Sequence, residues 1–317
     1  MQSPWITIAI PSYNRAPLLL RTVRALQEQT VPDWECVIID DQSTDSAWDV
    51  AQMVAAEDGR FRAFRHTTNQ GLAANFRECG SQGTAPYVLM LAADDQLTPQ
   101  FLEKVREALT TFPDAGLVCG RRVLSDARQR LRPYATPLTG YWKAGTTIAR
   151  AVANGNLYGL YSSVVIRRQA LTEVGGIRAD NPWAGDYEAF VKIAARHPVV
   201  FVPGAEVYQH VDQSTQTTAF LRSGRLVHYE SETLERLLDD PVIAERLSSE
   251  NRVAAWQRIH ALQWSVTLFH ILREPWRRGD FGISAQARKT LEEHHCSSVA
   301  VFQTMVRLVY QRWRLTY

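Results

Sequence analysis

The sequence predicts an α/β fold: a doubly wound, mostly parallel sheet flanked by helices, with a C-terminal helical extension. Three observations carry that expectation. Short apolar runs alternate with segments of helical periodicity through the first half of the chain, the pattern of βαβ units. Runs such as Ile6–Ile10 and Tyr87–Leu91 are apolar enough to read as buried strands. From about Ala219 the short runs give way to long helical segments, which divides the chain into a sheet-bearing body, 1–218, and an extension, 219–317.

In order, Ile6–Ile10 is a strand, and Leu18–Gln29 is a helix with Leu19, Val23 and Leu26 on one face. Glu35–Ile39 is the second strand. A helix from about Ser46 to Ala56 follows, with Ser43 or Asp45 as its N-cap. Phe61–Arg65 is a weaker strand, Leu72–Ser81 a short helix and Tyr87–Leu91 a strong strand. Thr98–Phe112 reads as a helix opened by Thr98 with Pro99 at its first position, and Gly116–Gly120 as another strand. Asp126–Gly145, rich in Arg, Pro and Thr, is expected to be a crossing loop. Tyr158–Ile166 returns to strand character, Asp186–Arg196 is helical and stopped by Pro198, and Val199–Val202 is a short strand.

Composition excludes several classes. A 45% hydrophobic and 21% charged chain is ordinary for a globular protein, and a net charge of +2 gives no general drive toward nucleic acid. Only Lys104, Lys143, Lys192 and Lys289 are lysines among 35 basic residues, a bias that reads as coding rather than phosphate recognition. Four scattered cysteines, Cys36, Cys79, Cys119 and Cys296, form no CxxC pair and read as buried thiols. The start shows no signal segment, and no run approaches the ~18 apolar residues of a membrane span. A cytoplasmic protein is expected, with the membrane's inner face as a possible neighbour.

In an open parallel sheet, ligands bind outside the carboxyl ends of the strands. The first strand is followed by Pro11-Ser12-Tyr13-Asn14-Arg15 and the second by Asp40-Asp41-Gln42-Ser43-Thr44-Asp45. The third leads to Asn69-Gln70-Gly71 and Asn75, and the fourth, after Ala92-Ala93, to Asp94-Asp95. Four strand ends thus bring a ring, an arginine, carboxylates and amides to one edge. Crowded acids need a cation when ionised, and carboxylate oxygens suit Mg²⁺ or Mn²⁺, which fill their shells with water and phosphate. A nucleotide diphosphate fits that chemistry. No GxGxxG or GxxxxGK[ST] is present, which disfavours a Rossmann cofactor or a P-loop.

These ordered segments, Ile8–Arg15, Val37–Asp45, Asn69–Asn75 and Leu91–Asp95, resemble the successive motifs of family 2 glycosyltransferases, inverting enzymes of GT-A fold. The resemblance covers roughly residues 5 to 215. It implies that Pro11, Tyr13 and Arg15 line the nucleobase pocket, with Tyr13 stacking on the base. Asp41 is implied to accept from the base's ring N–H, and Asn75 to approach the donor. Asp94 is implied to face the ribose or donor sugar, and Asp95 to bind the metal. Many members carry a further acid where this chain has Ala92, so ligation is thinner here.

The same resemblance extends to Gly175-Gly176-Ile177 and Ala184-Gly185-Asp186-Tyr187-Glu188. An inverting transfer needs a base for the acceptor hydroxyl, and Asp186 stands where the family has it, with Gly185 in place of a usual Glu. The alternative is that Asp186 caps its helix. Glu188 is the fallback base, otherwise solvent-facing or paired with Lys192. His210, in Val207-Tyr208-Gln209-His210, is either structural or, as the family's Tyr-x-x-His segment implies, a metal ligand, with Ser214 or Thr215 on phosphate. His294-His295-Cys296 reads as a solvated helix end.

In the extension, Val299, Phe302, Val306, Val309 and Trp313 form an apolar stripe beside Arg307, Arg312 and Arg314. It either packs on the body or lies on anionic lipid, with Trp276–Phe281 as a second basic, aromatic cluster. The expected activity moves a sugar from a nucleotide-sugar, a UDP-sugar first and dTDP second, to a glycan or lipid-linked acceptor in cell-surface polysaccharide or glycolipid synthesis. Tyr134–Ser163 and the extension are expected to choose the acceptor. Two rivals remain. A sugar nucleotidyltransferase would show a glycine-rich basic loop after the first strand, and Pro11–Arg15 has no glycine. A degenerate nucleotide-sugar-binding subunit is suggested by Ala92 and Gly185.

Overall fold

A computed structural model describes residues 3–125, 131–133, 138–181, 183–210 and 225–259. The chain forms two compact units, residues 1–211 and 212–317. The expected boundary near 219 falls among residues 211–224, outside those described.

The first unit runs β1 (Ile6–Ser12), α1 (Ala16–Gln27), β2 (Trp34–Asp40), α2 (Ala47–Glu57), β3 (Phe61–Arg65), α3 (Leu72–Ser81), β4 (Tyr87–Met90) and β5 (Gln96–Leu97). It continues with α4 (Phe101–Thr111), β6 (Leu117–Ser125), β7 (Leu131–Pro133), β8 (Gly140–Trp142), α5 (Ile148–Asn154), β9 (Val164–Arg167), α6 (Arg168–Glu173), α7 (Gly185–Arg196) and β10 (Val199–His210). The strands form one mixed sheet in the order β3-β2-β1-β4-β9-β6-β10-β5, with β7 on β6 and β8 on β10. β3, β2, β1 and β4 are mutually parallel, and β6 is parallel to β10. β9 runs antiparallel between β4 and β6.

Sequence pattern explains the layering. All seven residues of β1 are buried, as a central parallel strand requires. Ile6, Ile8 and Ile10 join Trp34, Cys36 and Ile38 in one core with Leu19, Val23 and Leu26 of α1, Ala51 of α2 and Phe101 of α4. The alternate residues point to the other face, where α3 contacts β1 and β4. The chain moves outward from β1 to β3, then returns past β1 to β4. That reversal opens a crevice at the carboxyl ends of β1 and β4.

Several element bounds differ from expectation, each for a visible reason. α1 begins at Ala16, with Pro17 in its first turn and the Ala16 N–H donating to Asp45 Oδ2 at 3.0 Å. The cap position of α2 is Ser46, without a side-chain bond; Asp45 Oδ1 instead accepts from the Ala47 N–H, and Ser43 Oγ accepts from the Asn14 N–H. Thr98 does not open α4, because its hydroxyl donates to the Glu206 carbonyl of β10, and the helix starts at Phe101. Tyr158–Ser163 is no strand: Gly159 has a φ of +121° and Tyr161–Ser163 forms a 3₁₀ turn. The crossing loop contains β7 and β8, and α5 and α6 lack a clear periodic signal.

β10 is three times the expected length. Its register against β6 shifts between Val202 and Glu206, where Pro203 lacks a donor, and pairing then resumes to His210. The bulge lets the strand reach the crevice.

In the second unit, Arg225–Asp239, Pro241–Arg246 and residues 249–259 are helical. Asp240 accepts from the Val242 and Ile243 N–H groups, and Arg258 pairs with Glu230. Trp276–Phe281, His294–Cys296 and the Val299–Tyr317 stripe lie outside the described residues. Among the described residues, no helix is long and apolar enough to cross a membrane.

Candidate active site

The end of β1 is laced to the end of β2. Asn14 adopts a φ of 51°, and its Oδ1 accepts from the Thr44 N–H at 2.7 Å. Pro11 lies within β1 opposite Ile39, so its missing donor falls near the strand's end. Tyr13 leaves its ring 42% exposed beside this lacing. Arg15 Nε lies 4.0 Å from Asp94 Oδ2, which joins the loop after β1 to the loop after β4.

Asp41 is buried and held by its own chain. Its Oδ1 accepts from the Gln70 N–H at 2.7 Å and lies 2.9 Å from His66 Nδ1, while Oδ2 accepts from the Gly71 N–H at 2.9 Å. A carboxylate offers about four acceptor positions. Three are filled here, and the remaining one is on Oδ2. Gly71 has a φ of +85°, a conformation that favours glycine and turns this N–H inward. Asn75 is buried in the first turn of α3. Its Nδ2 donates to the Ile39 carbonyl at 3.3 Å, and its Oδ1 has no partner among the described residues.

Asp95 lies across the crevice. The Thr22 hydroxyl lies 3.0 Å from the Ala93 carbonyl and 2.8 Å from that of Asp95, which fixes the loop after β4. The Ala92 N–H donates to Ser162 Oγ at 3.0 Å. The Asp95 side chain is only 4% exposed. Burial first, and the charge of Asp94 second, push its carboxyl up to about 8 against opposing bonds from Ser162 and the His210 backbone N–H and the charge of Arg122. His210 thus reaches Asp95 through its main chain. Among the described residues, no three His, Cys, Asp or Glu side chains converge as a metal-holding group. Asp95 nonetheless fits a hard dication: a desolvated carboxylate beside a second acid is stabilised in its ionised form by a positive charge.

Asp186 is likewise 4% exposed, in the first turn of α7. Burial raises its carboxyl to about 7, opposed by the Tyr187 N–H and the charge of Arg122. The cap position belongs to Ala184, and Asn181 Oδ1 accepts from the Ala184 N–H at 2.8 Å just before the helix. Gly185 has a spatial reason. A Cβ there would lie 3.3 Å from the Tyr161 hydroxyl and 3.3 Å from the Arg178 carbonyl, so a larger residue would need these neighbours to give by a few tenths of an ångström. Glu188 is not solvent-facing. It is buried with Lys192 Nζ at 2.5 Å and Arg178 at 3.3 Å, which commits it to holding the preceding loop.

Arg122 and Ser162 escaped sequence reasoning. Arg122 could have been noticed as a charge inside the apolar run that became β6; Ser162 carries no local signal. Ser214 and Thr215 lie outside the described residues.

Residues 7–175 match the family model described as glycosyl transferase family 2; the matched span ends before Asp186 and His210. An uncharacterized protein, MT1568, of Mycobacterium tuberculosis is 26% identical over 75% of this chain and 77% of its own length. The putative teichuronic acid biosynthesis glycosyltransferase TuaG of Bacillus subtilis is 32% identical over 33% of this chain, and the match spans 41% of TuaG. In structure, Staphylococcus aureus TarS 1–349 in complex with UDP-GlcNAc superposes with a TM-score of 0.56 at 14% identity, covering 88% of this chain and 93% of that one. The mannosyltransferase PcManGT of Pyrobaculum calidifontis, in complex with GDP-Man and Mn²⁺, gives 0.57 at 16% identity over 98% of this chain and 86% of that one. These superpositions agree with the α/β fold of GT-A type that the motif resemblance implied. With a family model matched over more than half its length, the chain belongs to glycosyl transferase family 2 and is a glycosyltransferase.

Proposed function

We propose that this chain is an inverting glycosyltransferase that takes a sugar from a nucleoside diphosphate donor, a UDP-sugar in the first instance, to an acceptor hydroxyl. The observation that carries the reading is that two carboxylates, Asp95 and Asp186, are each buried and each raised by that burial, with the charge of Arg122 opposing both rises. One suits a cation-bound diphosphate, and the other suits a base working near neutral pH.

Pro11, Tyr13 and Arg15 would flank the base, and the open position on Asp41 Oδ2 would meet its ring N–H. Asn75 would offer its free Oδ1 to the donor, and Asp94 would face the ribose or sugar. Asp95, with His210 as a further candidate, would hold Mg²⁺ or Mn²⁺. The bound ion would offset charge on the departing diphosphate. Asp186 would take the acceptor's proton as its oxygen bonds to the anomeric carbon. The bond from that carbon to the diphosphate oxygen breaks on the opposite face, which inverts the configuration. Arg122 would add positive charge felt by both acids.

The printed name of TuaG, a putative teichuronic acid biosynthesis glycosyltransferase, supports a cell-surface polysaccharide or glycolipid acceptor. The basic stripe of the helical extension from about 219 would make peripheral contact with the cytoplasmic face of the membrane. A nucleotide-sugar panel with Mn²⁺ tests the core of the reading. Released nucleoside diphosphate is expected with wild type and its loss with Asp95→Ala. Release undiminished in the variant, or absent for every donor, overturns it.

A further inference from the structure

His66 directly follows β3, and both its ring nitrogens meet carboxylates. Nδ1 lies 2.9 Å from Asp41 Oδ1, and Nε2 lies 2.8 Å from Glu78 Oε2 on α3. A neutral imidazole has one N–H and one lone pair, so one of these contacts would set lone pair against lone pair. The imidazolium donates to both. The charged groups facing the ring are Asp41, from the loop after β2, and Glu78, from α3. Its neighbour Arg65 is turned to Asp40 Oδ2 and the Ser43 carbonyl.

We propose that His66 is a positioning residue for donor recognition: its imidazolium, bridging Asp41 and Glu78, fixes the one open carboxylate position that meets the base. The inference rests on the reading that Asp41 receives the base's ring N–H. The segment from His66 to Gly71 grips Asp41 at both ends, with His66 and Gln70 on Oδ1 and Gly71 on Oδ2. Without the His66 donor, only the Gln70 and Gly71 N–H groups hold the carboxylate, and the open position on Oδ2 is aimed less firmly. The bridge also ties Asp41 to α3, the helix that carries Asn75.

Burial opposes charge on the ring, but the hydrogen bonds and charges of Asp41 and Glu78 outweigh it and hold the imidazole above its ordinary range. The protonated bridge therefore persists to higher pH than an ordinary imidazolium would. Nucleotide affinity falls as pH climbs through that raised value.

Calorimetry of UDP binding to the full chain with Mn²⁺, from about pH 6 to about pH 9, tests this. Wild-type affinity is expected to fall about tenfold across the range, the size of one lost charged hydrogen bond. Glu78→Gln removes one of the two acids that raise the imidazole, so the fall should move to lower pH. His66→Phe should bind about tenfold more weakly at the acidic end and lose the fall, keeping only the pH dependence of the ligand and of Asp95, which every variant shares. The ligand's own titration is shared by all variants and cancels in the comparison. Asp41→Asn separates the two readings. If it leaves UDP affinity intact, the donor-site reading falls. If it weakens binding while Glu78→Gln leaves the pH midpoint unmoved, the role of His66 falls and the donor site stands.

Discussion

The two sides of the crevice both rest on buried acids, yet they are built oppositely. On the nucleoside side, Asp41 is surrounded by donors from its own chain, Gln70, Gly71 and His66, and keeps one position open. On the transfer side, Asp95 and Asp186 are buried with fewer donors, and their carboxyls rise to about 8 and about 7. The nucleoside side is finished before a ligand arrives. The transfer side holds charge that the fold alone does not satisfy, a frequent property of reacting groups. Substitutions should therefore separate binding from turnover according to the side they strike.

The largest effect is expected at Asp186. Asp186→Asn removes the base while keeping the side chain's shape, and should lower kcat about 10³-fold with nucleotide affinity nearly unchanged. Release assays read the first, and calorimetry with UDP the second. An equal loss in both would place Asp186 on the nucleoside side and erase the contrast. If Asp186 is the base, as proposed, its ionised carboxylate would accept the proton, and wild-type kcat should rise with pH through about 7.

Asp95 should show the cost of the unfinished side directly. Its folded carboxyl lies at about 8 against 3.8 for the ordinary group, so the folded chain prefers the protonated form. Ionisation then destabilises the fold as pH rises between those values. Asp95→Asn cannot ionise. It should melt about 3 °C higher than wild type at pH 8 without metal, while losing about 10²-fold or more in turnover. Mn²⁺ should raise the wild-type midpoint and leave that of the variant in place. A variant that melts lower, or still responds to Mn²⁺, would remove Asp95 from the metal's shell.

The two sides also differ in how far sequence revealed them. Tyr13, Arg15, Asp41, Asp94 and Asp95 all follow apolar strand runs within a few residues, so the strand-end rule found them; Asn75 stands ten residues beyond β3, on α3. The transfer side depends on long-range closure: Ala92 meets Ser162 seventy residues on, and β10 reaches Asp95 only because a bulge at Pro203-Gly204 reopens its pairing. No local pattern reports either event. The same limit hid the reason for Gly185, which lies in the Tyr161 ring and the Arg178 carbonyl. Thr98 was misread because its hydroxyl bonds to Glu206 of β10 rather than capping α4. Sequence signals fail where a side chain's partner comes from a distant strand.

Arg122 sharpens the contrast without breaking it, because its charge opposes the rise of both transfer-side acids. Arg122→Gln should push Asp186 further up. The rising limb of the kcat profile should move to higher pH, with kcat at neutral pH about tenfold lower. UDP affinity per phosphate contact is the discriminating control. A profile that stays in place while affinity alone falls would assign Arg122 to the diphosphate and not to the base.

The smallest effect belongs to the nucleoside side, at Tyr13. Its ring is partly exposed, so stacking on a base would bury it from one face and contribute roughly 1 kcal/mol. Tyr13→Ala should weaken UDP binding about fivefold, whereas Tyr13→Phe should bind as wild type does, since the hydroxyl is not needed for stacking. Turnover at saturating donor should change little in either variant, because the ring adds the same binding before and during transfer. A loss of kcat in Tyr13→Ala would mean that the base's seat also aims the anomeric carbon at Asp186. In that case the two sides of the crevice are coupled through the donor rather than independent.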